Sequence, residues 1–263
     1  PKGDIHKSDG DIVKPNGDIH KPDGTTTHPD GSVTRSDGIK VHPDGSVTLK
    51  DGSFVPIATD DEFELKLPTE LESYPAAEVY FYIGDKKSVV IPKTINGTVV
   101  TSLKYMFAKT DVSKVVSLEN EIIDTGGMFK SSKATTLDLS NFNTSKVQFM
   151  PNMFMSVSAT NINLNNFNTS NVVKMGGMFY SYRGTSLDLS SFNTSNVDAM
   201  NQMFESSRLS ELDLTSFDFS KVSNIDKMLY AYSLKKVYVK DSSDVSKLNK
   251  DSIRSTSVTI TTK

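Results

Sequence analysis

Cysteine and tryptophan are absent from the 263 residues of this chain, and all four histidines precede residue 43. Disulfide bonds and thiolate chemistry are therefore excluded. Residues 79–263 contain neither histidine nor cysteine, so Ser-His-Asp and Cys-His nucleophile systems cannot be assembled there. No P-loop and no GxGxxG dinucleotide motif occurs. The sequence predicts that the protein is not an enzyme and carries no cofactor.

Long apolar runs are also absent. No run of about 18 apolar residues, no signal peptide and no lipidation motif is found, so we expect no membrane insertion within this stretch of chain. Any export signal or wall anchor would lie outside it. The net charge is −3 and basic residues are not clustered, so nucleic-acid binding is not expected.

A 25-residue period dominates the second half of the chain. A Met-Phe or Met-Leu pair recurs, and around it return Leu-Asp-Leu-Ser, Phe-Asn-Thr-Ser, Val and Met. A period of this size is typical of a solenoid, in which each repeat packs only on its neighbours. The pairs are Met106-Phe107, Met128-Phe129, Met153-Phe154, Met178-Phe179, Met203-Phe204 and Met228-Leu229.

Each repeat is expected to contain a short strand and a helical segment. Leu137 and Leu139 would share one side of a strand, with Asp138 on the other face. Met150 and Phe154 belong to a set spaced like one face of a helical turn or short helix. Stacked repeats would then form an α/β solenoid of the leucine-rich-repeat type, with a parallel sheet on one side.

A column of asparagines is expected to form a polar ladder between repeats. The phrase Asn-Thr-Ser also matches the glycosylation sequon, but its repetition in phase favours the structural interpretation. The column contains Asn143, Asn168, Asn193 and Asp218.

The recurring phrase resembles the BspA-like leucine-rich repeats of bacterial surface proteins, in the subfamily whose repeat reads LDLSxFNTSxVxxMxxMF. The resemblance covers about residues 79–240 and implies a right-handed solenoid. It also implies a secreted or wall-anchored protein associated with adhesion to host matrix proteins, other bacteria or biofilm. No catalytic residues come with the family. The repeat before Met128 departs from the pattern, because it is three residues short.

A seven-residue period fills residues 1–57. Pro-Asp-Gly suits a type I turn followed by a left-handed glycine, the usual three-residue hairpin connection. The period therefore predicts a β-meander of very short strands, a β-turn-rich tract before the solenoid. The glycines are Gly3, Gly10, Gly17, Gly24, Gly31, Gly38, Gly45 and Gly52.

Apolar burial in this tract is small. Burying one apolar side chain per heptad contributes about 1.5–3 kcal/mol, whereas ordering one heptad costs on the order of 10 kcal/mol. This comparison favours an extended stalk, and a meander ordered by backbone pairing or by association of chains is the alternative.

Four parts are expected along the chain. Residues 1–57 form the heptad-repeat stalk or meander, and residues 58–78 form an acidic connector that breaks both periods. The solenoid follows at residues 79–240. Residues 241–263 form a C-terminal cap with a final strand near Val258.

The loop after each Met-Phe pair varies while the rest of the repeat is strict, as expected of a display surface. Tyrosine and arginine are the residues most enriched in binding hot spots. The alternative is that Tyr182 and Tyr232 fill core space. The candidate partner-binding residues are Tyr180, Tyr182, Arg183, Arg208, Tyr230 and Tyr232.

A second candidate surface is an acidic column projecting outward from successive strands. Like charges in register are unfavourable, so the column requires an explanation. One explanation is that hydrogen bonds to flanking Ser and Thr hold the carboxylates. The other is that the column is a recognition strip for basic partners or a cation. A carbohydrate-active enzyme stays open only through these carboxylates. The residues are Asp138, Asp188 and Asp213, with Asn163 between the first two.

These features predict an extracellular bacterial adhesin or binding module, secreted or wall-anchored through a segment outside this sequence. Its partner would be a host or bacterial surface protein or a glycan. The alternative is a structural spacer or fibre subunit with no specific ligand, and self-association through the solenoid ends is possible.

The histidines leave a metal site as one alternative. No Cys or HxxxH spacing supports zinc, and calcium-binding Gly/Asp repeats are denser in acidic residues. We therefore expect no bound metal, and adding calcium, zinc or a chelator should leave the thermal unfolding temperature unchanged in scanning calorimetry. A clear rise with stoichiometric zinc would contradict this. The histidines are His6, His20, His28 and His42.

Overall fold

A computed structural model describes residues 3–66, 79–118, 121–253 and 258–263. Most of the acidic connector expected at residues 58–78 therefore lies outside the described residues. An antiparallel meander comes first in the chain, and a β-solenoid of about 7 turns follows it.

Eight two-residue strands form the meander and pair in chain order. Each turn repeats one set of bonds, in which Lys7 N–H donates to Asp11 O at 2.9 Å and Gly10 N–H donates to Lys7 O at 3.1 Å. Gly10 has a φ of 91°, the left-handed conformation that Pro-Asp-Gly predicts. The strands are β1 (Ile5–His6), β2 (Ile12–Val13), β3 (Ile19–His20), β4 (Thr26–Thr27), β5 (Val33–Thr34), β6 (Lys40–Val41), β7 (Val47–Thr48) and β8 (Phe54–Val55).

Turns two heptads apart stack against each other. A Cβ on Gly10 would lie 2.8 Å from Pro22 Cγ, and one on Gly17 would lie 2.9 Å from Pro29 Cγ. The glycine of one turn thus lies against the proline of a later turn, which any side chain would obstruct. These contacts add to the backbone pairing that orders the tract.

The histidines of the meander bond to neighbouring strands. His28 Nδ1 lies 2.8 Å from Asp18 Oδ1, and its Nε2 lies 2.8 Å from Thr34 Oγ1. His42 Nε2 likewise lies 2.8 Å from Thr48 Oγ1. No group of three or more His, Cys, Asp or Glu side chains within the described ranges is arranged to hold a metal ion.

The meander joins the solenoid through paired backbone. Ala58 N–H donates to Val90 O at 3.0 Å, and Val90 N–H donates to Pro56 O at 2.8 Å. Val55 is buried in one cluster with Val90 and Val116 of the solenoid. The last strand of the meander is therefore anchored on the first coil, whereas β1 is exposed at the far end.

An antiparallel strand pair lies at the start of the solenoid. A 3₁₀ helix (Asp60–Glu62) precedes β9 (Phe63–Lys66), which pairs with β10 (Val79–Tyr82). The Tyr82 hydroxyl donates to Glu62 Oε1 at 3.0 Å. Burial, together with this carboxylate, raises the pKa of Tyr82.

The parallel sheet expected on one side of the solenoid is confirmed, but it consists of two separate parts. Strands β11, β14, β15 and β16 form the first part, and β17, β18 and β19 form the second. The bounds are β11 (Ser88–Val90), β12 (Thr94–Ile95), β13 (Thr98–Val99), β14 (Lys114–Val116), β15 (Thr136–Asp138), β16 (Asn161–Asn163), β17 (Glu211–Asp213), β18 (Lys236–Val239) and β19 (Thr259–Thr262).

The α/β class expected from the sequence is wrong, because the solenoid consists mostly of strands and turns. Within the described ranges, the one α-helix is α1 (Ser242–Asp251), near the C-terminus. Where a helical segment was expected, Asn152 has a φ of 57° and Ser156 a φ of 56°. Five of the six turns contain two left-handed residues and the last contains one, Lys227, which excludes a helix. The tight turns nevertheless return Met150 and Phe154 to the same buried side.

Alternate backbone N–H groups in this turn bond in two directions. Asn152 N–H donates to Gly176 O of the next coil at 2.9 Å, and Phe154 N–H donates to Met178 O at 2.9 Å. Between them, Met153 N–H donates back to Met150 O at 3.4 Å, and Met155 N–H, after Phe154, donates back to Asn152 O at 3.0 Å. The turn is therefore closed locally and also paired with its neighbour. We call this segment the Met-Phe turn.

The Met-Phe pairs themselves are core. Each phenylalanine is fully buried, and the rings stack from coil to coil. The Phe129 and Phe154 centroids lie 5.8 Å apart, and those of Phe179 and Phe204 lie 5.7 Å apart with an interplanar angle of 1°. Because these side chains face inward, they contribute stability rather than a binding surface.

Threonines form the hydrogen-bonded ladder between coils, whereas side chains of the expected asparagine column cap their own turns. The buried Thr169 hydroxyl donates to Asn193 O and accepts from Asn193 N–H, both at 2.8 Å. Asn168 Oδ1 instead accepts from Ser170 N–H at 3.1 Å, within its own turn. The same bonds to the next coil are made by Thr144 and Thr194.

Replacing Thr169 by valine tests this ladder. The substitution conserves shape but leaves the N–H and C=O of Asn193 without their partner. We expect a loss of about 2–4 kcal/mol in the free energy of unfolding, measured by urea denaturation. Thr136→Val, at an exposed strand position, is the control and should have little effect. Equal stability of both variants would show that the ladder contributes nothing.

Candidate binding surface

The acidic column lies on the outer face of the parallel sheet, and each member is held by its own turn. Asp138 Oδ1 accepts from the Ser140 hydroxyl at 2.7 Å, and Asp188 Oδ1 accepts from the Ser190 hydroxyl at 2.6 Å. Asp213 makes the same bond to Thr215 at 2.7 Å. These local bonds account for the position of every carboxylate in the column.

The three carboxylates differ in their ion pairs. Asp138 Oδ2 lies 3.0 Å from Lys114 Nζ, and Asp213 Oδ2 lies 2.5 Å from Lys263 Nζ. Among the described residues, no cation pairs with Asp188. Hydrogen bonds from the Ser190 hydroxyl and N–H lower the pKa of Asp188. Asp188 is therefore ionised at neutral pH, and its charge is uncompensated.

The backbone ladder of the sheet is interrupted at the coil that carries Asp188. In the two preceding coils, Asp138 N–H donates to Ser113 O at 2.7 Å and Thr160 N–H donates to Thr135 O at 3.2 Å. Residues 185–188, which occupy the strand position of their coil, make no backbone hydrogen bond to any described residue of either neighbouring coil. These exposed backbone N–H and C=O groups can therefore bond to water or to a ligand.

We infer that Tyr182 causes this interruption from inside the solenoid. Its side chain is fully buried, and its hydroxyl donates to Thr160 O at 3.0 Å, an acceptor on the neighbouring coil. A Cβ on Gly184 would lie 2.2 Å from the Tyr182 hydroxyl oxygen, so only glycine leaves room for the ring. Two other coils carry Ser132 with Ala134 and Val157 with Ala159 at the equivalent positions. In both, the residue that corresponds to Tyr182 is smaller.

In the coil after the interruption, a buried hydroxyl lacks the backbone acceptor that its equivalent in another coil has. Ser132 Oγ donates to Thr110 O at 3.1 Å. The equivalent of Ser132 two coils beyond Val157 is Ser207, and its Oγ is buried without a hydrogen-bond partner among the described residues. The carbonyl that would receive it belongs to Thr185, in the unpaired segment.

A groove of about 600 Å³ lies on the sheet at this interruption; we call it the sheet groove. Its amide side chains and the Asp188 carboxylate are exposed. Unpaired backbone, amides and one uncompensated carboxylate together suit a ligand rich in hydrogen-bond donors or carrying a positive charge. The lining residues are Thr160, Asn161, Ile162, Asn163, Asn165, Ser186, Leu187 and Asp188.

The tyrosine and arginine candidates differ in how far their side chains are exposed. Tyr182 is core, which corrects its assignment to an exposed surface, since a fully buried side chain cannot contact a partner. Tyr180 and Tyr230 are half-buried, while Tyr232 is 71% exposed. Arg183 and Arg208 are exposed, and they occupy the same position in adjacent coils, just before the strand segments.

Sequence reasoning identified Asp188 but missed the groove around it. Asn161, Asn165 and Ser186 are residue types that are common at solvent-exposed strand positions. Nothing in the sequence therefore marked them as lining a groove. The usable signal was the combination of Tyr182 with Gly184, which the equivalent loops of the other coils lack. A large residue and a glycine two positions apart indicate a local rearrangement of packing.

The architecture defines a β-solenoid repeat protein. Residues 123–242 match the model of a family described as "Mycoplasma protein of unknown function, DUF285". Comparison with curated proteins found no match, and neither did comparison with solved structures. The matched stretch includes the entire sheet groove. Within the described ranges, no helix has the length and hydrophobicity needed to cross a bilayer.

Restoring an ordinary repeat should close the interruption. The double variant Tyr182→Ser with Gly184→Ala carries the residues found at positions 132 and 134. We expect the amides of residues 185–188 to become protected in hydrogen exchange, because the strand can then pair with its neighbours. Tyr232→Ser, at an exposed position, serves as the control. Unchanged exchange at residues 185–188 would contradict the role of Tyr182.

Proposed function

We propose that the protein is an extracellular bacterial adhesin or binding module that holds a protein or glycan partner non-covalently at the sheet groove. In this proposal the solenoid is of the right-handed leucine-rich-repeat type, in the BspA-like subfamily. It is secreted or anchored to the cell wall through a segment outside this sequence. The proposal includes no catalytic step.

The interruption of the sheet at residues 185–188 carries this proposal. A solenoid gains stability from each backbone bond between coils, and here one coil forgoes them. The Tyr182 and Gly184 pair maintains this arrangement at the cost of an unpaired Ser207 hydroxyl. Tyr182 and Gly184 lie in the loop that varies between repeats, and the groove beside them supports a role in binding.

The chemistry of the groove indicates how a partner is held. An extended segment of a partner could donate to and accept from the unpaired backbone groups, as in strand addition at a sheet edge. Asp188 would meet a lysine, arginine or hydroxyl of that partner. Asn161 and Asn163 offer amide donors and acceptors beside it.

Removing one charge tests the proposal. Asp188→Asn keeps a side-chain oxygen to accept from Ser190 but removes the uncompensated charge. In a screen of matrix proteins, bacterial surface proteins and glycans, we expect wild-type protein to bind a partner. The variant should bind that partner about tenfold more weakly, corresponding to the loss of a charged hydrogen bond.

Asp213→Asn is the matched control, because Asp213 has the same column position but is already paired with Lys263. It should change affinity much less. Absence of any partner in the screen, or equal binding by wild type and Asp188→Asn, would refute the proposal.

A structural spacer or fibre subunit is the second candidate. Strands β1 and β19 each have a neighbour on one side only within their sheets, and an exposed strand edge is a template for pairing with another chain. Sedimentation velocity over a concentration series would show growing oligomers if the protein polymerises through these ends. A single species of monomer mass throughout would exclude this function.

A further inference from the structure

The residue that follows each Met-Phe pair differs from coil to coil and is only partly covered. Tyr180, Glu205 and Tyr230 occupy this position in three consecutive coils, and all three are half-buried. We propose that these residues, which we call the turn site, bind an arginine side chain of a partner protein. The inference goes beyond the proposed function, because the turn site shares no residue with the sheet groove.

Backbone hydrogen bonds place the three residues one above another. Ser181 N–H donates to Glu205 O at 2.8 Å, and Ser206 N–H donates to Tyr230 O at 3.0 Å. Adjacent coils in a parallel stack lie about 4.8 Å apart, so the backbones of the two tyrosines are about 10 Å apart with Glu205 midway between them. A tyrosine side chain is longer than a glutamate side chain. The column therefore has a long side chain at each end and a shorter carboxylate in the middle.

Glu205 carries a carboxylate that the protein does not compensate. Its Oε2 is buried without a hydrogen-bond partner. Among the residues that the structure describes, no lysine or arginine forms an ion pair with it. A buried carboxylate oxygen without a donor is unfavourable. A ligand that brings a positive charge and N–H donors would stabilise it.

The charge of the surrounding turns is negative. Residues 175–182, 200–207 and 225–232 contain two acidic side chains, Glu205 and Asp226, and one basic side chain, Lys227. Lys227 forms no ion pair with either carboxylate. This part of the solenoid would therefore attract a cation rather than an anion.

The rings of Tyr180 and Tyr230 are not engaged with other rings. Within the described ranges, neither ring stacks on an aromatic neighbour or lies beside a lysine or arginine. Tyr182, by contrast, packs its ring on Phe179 with the centroids 6.0 Å apart. A cation midway between two rings about 10 Å apart lies about 5 Å from each, within the distance of about 6 Å over which an aromatic face attracts positive charge.

A guanidinium group suits these three side chains better than other organic cations do. It is planar, weakly hydrated and able to stack on aromatic faces, and its N–H donors match the geometry of a carboxylate. Its edge can bond to Glu205 while its two faces meet the tyrosines. A quaternary ammonium group would suit the rings, but it has no N–H to donate to the carboxylate.

The test presents the full chain to an array of peptides that each contain a single central arginine. The same peptides are printed with lysine and with citrulline, which has nearly the shape of arginine but no charge. We expect a subset of the arginine peptides to bind, and their citrulline forms to bind at least about tenfold more weakly. The lysine forms should be intermediate, because an ammonium group cannot stack on the rings.

The strongest arginine peptide is then measured by isothermal titration calorimetry against variants of the turn site. Glu205→Gln removes the charge at nearly constant shape and should weaken binding by about tenfold. Tyr180→Leu and Tyr230→Leu each remove one ring and should weaken binding by about fivefold.

Asp226→Asn is the matched control, because it removes a carboxylate from the same turns but outside the column, and it should change affinity little. Circular dichroism and thermal unfolding verify that each variant is folded. Binding of no arginine peptide, equal binding of the citrulline forms, or unchanged affinity in folded Glu205→Gln protein would overturn the inference. Lysine forms that bind as tightly as the arginine forms would overturn the assignment of a guanidinium.

Failure of this inference and failure of the proposed function are distinguishable. A peptide that is lost in Glu205→Gln but retained in Asp188→Asn would support the turn site alone. A partner lost in Asp188→Asn but retained in Glu205→Gln would support the sheet groove and count against the turn site for that partner.

Discussion

The alternation of backbone bonds in the Met-Phe turn is the constraint on which the rest of the solenoid depends. Every second N–H closes the turn on itself, and the others donate to the next coil. Phe179 N–H donates to Met203 O at 2.9 Å, and Ser181 N–H to Glu205 O at 2.8 Å. Between the 25-residue repeats these bonds join residues 24 apart, and where the repeat before Met128 is three residues short they join residues 21 apart, as in Phe107 N–H to Met128 O at 2.9 Å. The turn therefore keeps its register between coils even where the length of a coil changes.

The same constraint allows the sheet to be interrupted. On both sides of the unpaired segment at residues 185–188, the turn column continues without a gap; Ser156 N–H, for example, still donates to Tyr180 O at 2.8 Å. Two further columns, the threonine ladder and the stacked phenylalanines, also pass through this coil. The strand side is therefore the wall that can lose its backbone hydrogen bonds while the coils remain stacked. Tyr182 and Gly184 lie at the one coil where residues 185–188 have lost them.

Much of this arrangement follows from the sequence, and the exceptions have physical causes. The 25-residue period predicts coils and strand columns, since parallel stacking is the one way each repeat can bury Leu137 and its equivalents. The spacing of Met150 and Phe154 does not distinguish a helix from a tight turn, because both return those side chains to one side. Backbone conformation at Asn152 decides between them, and composition does not encode it. The sheet groove escaped prediction because its cause, Tyr182, is a buried residue that resembles a surface tyrosine.

The stacking of Gly10 on Pro22 has a consequence for how the N-terminal tract can change in length. Each turn lies against the turn two heptads later, so successive turns alternate between the two sides of the meander. Gain or loss of two heptads would preserve which side every earlier residue faces, and it would change only the reach of the tract. Gain or loss of one heptad would exchange the sides for everything before it. Length variation in such a tract should therefore proceed in steps of fourteen residues wherever one face is under selection.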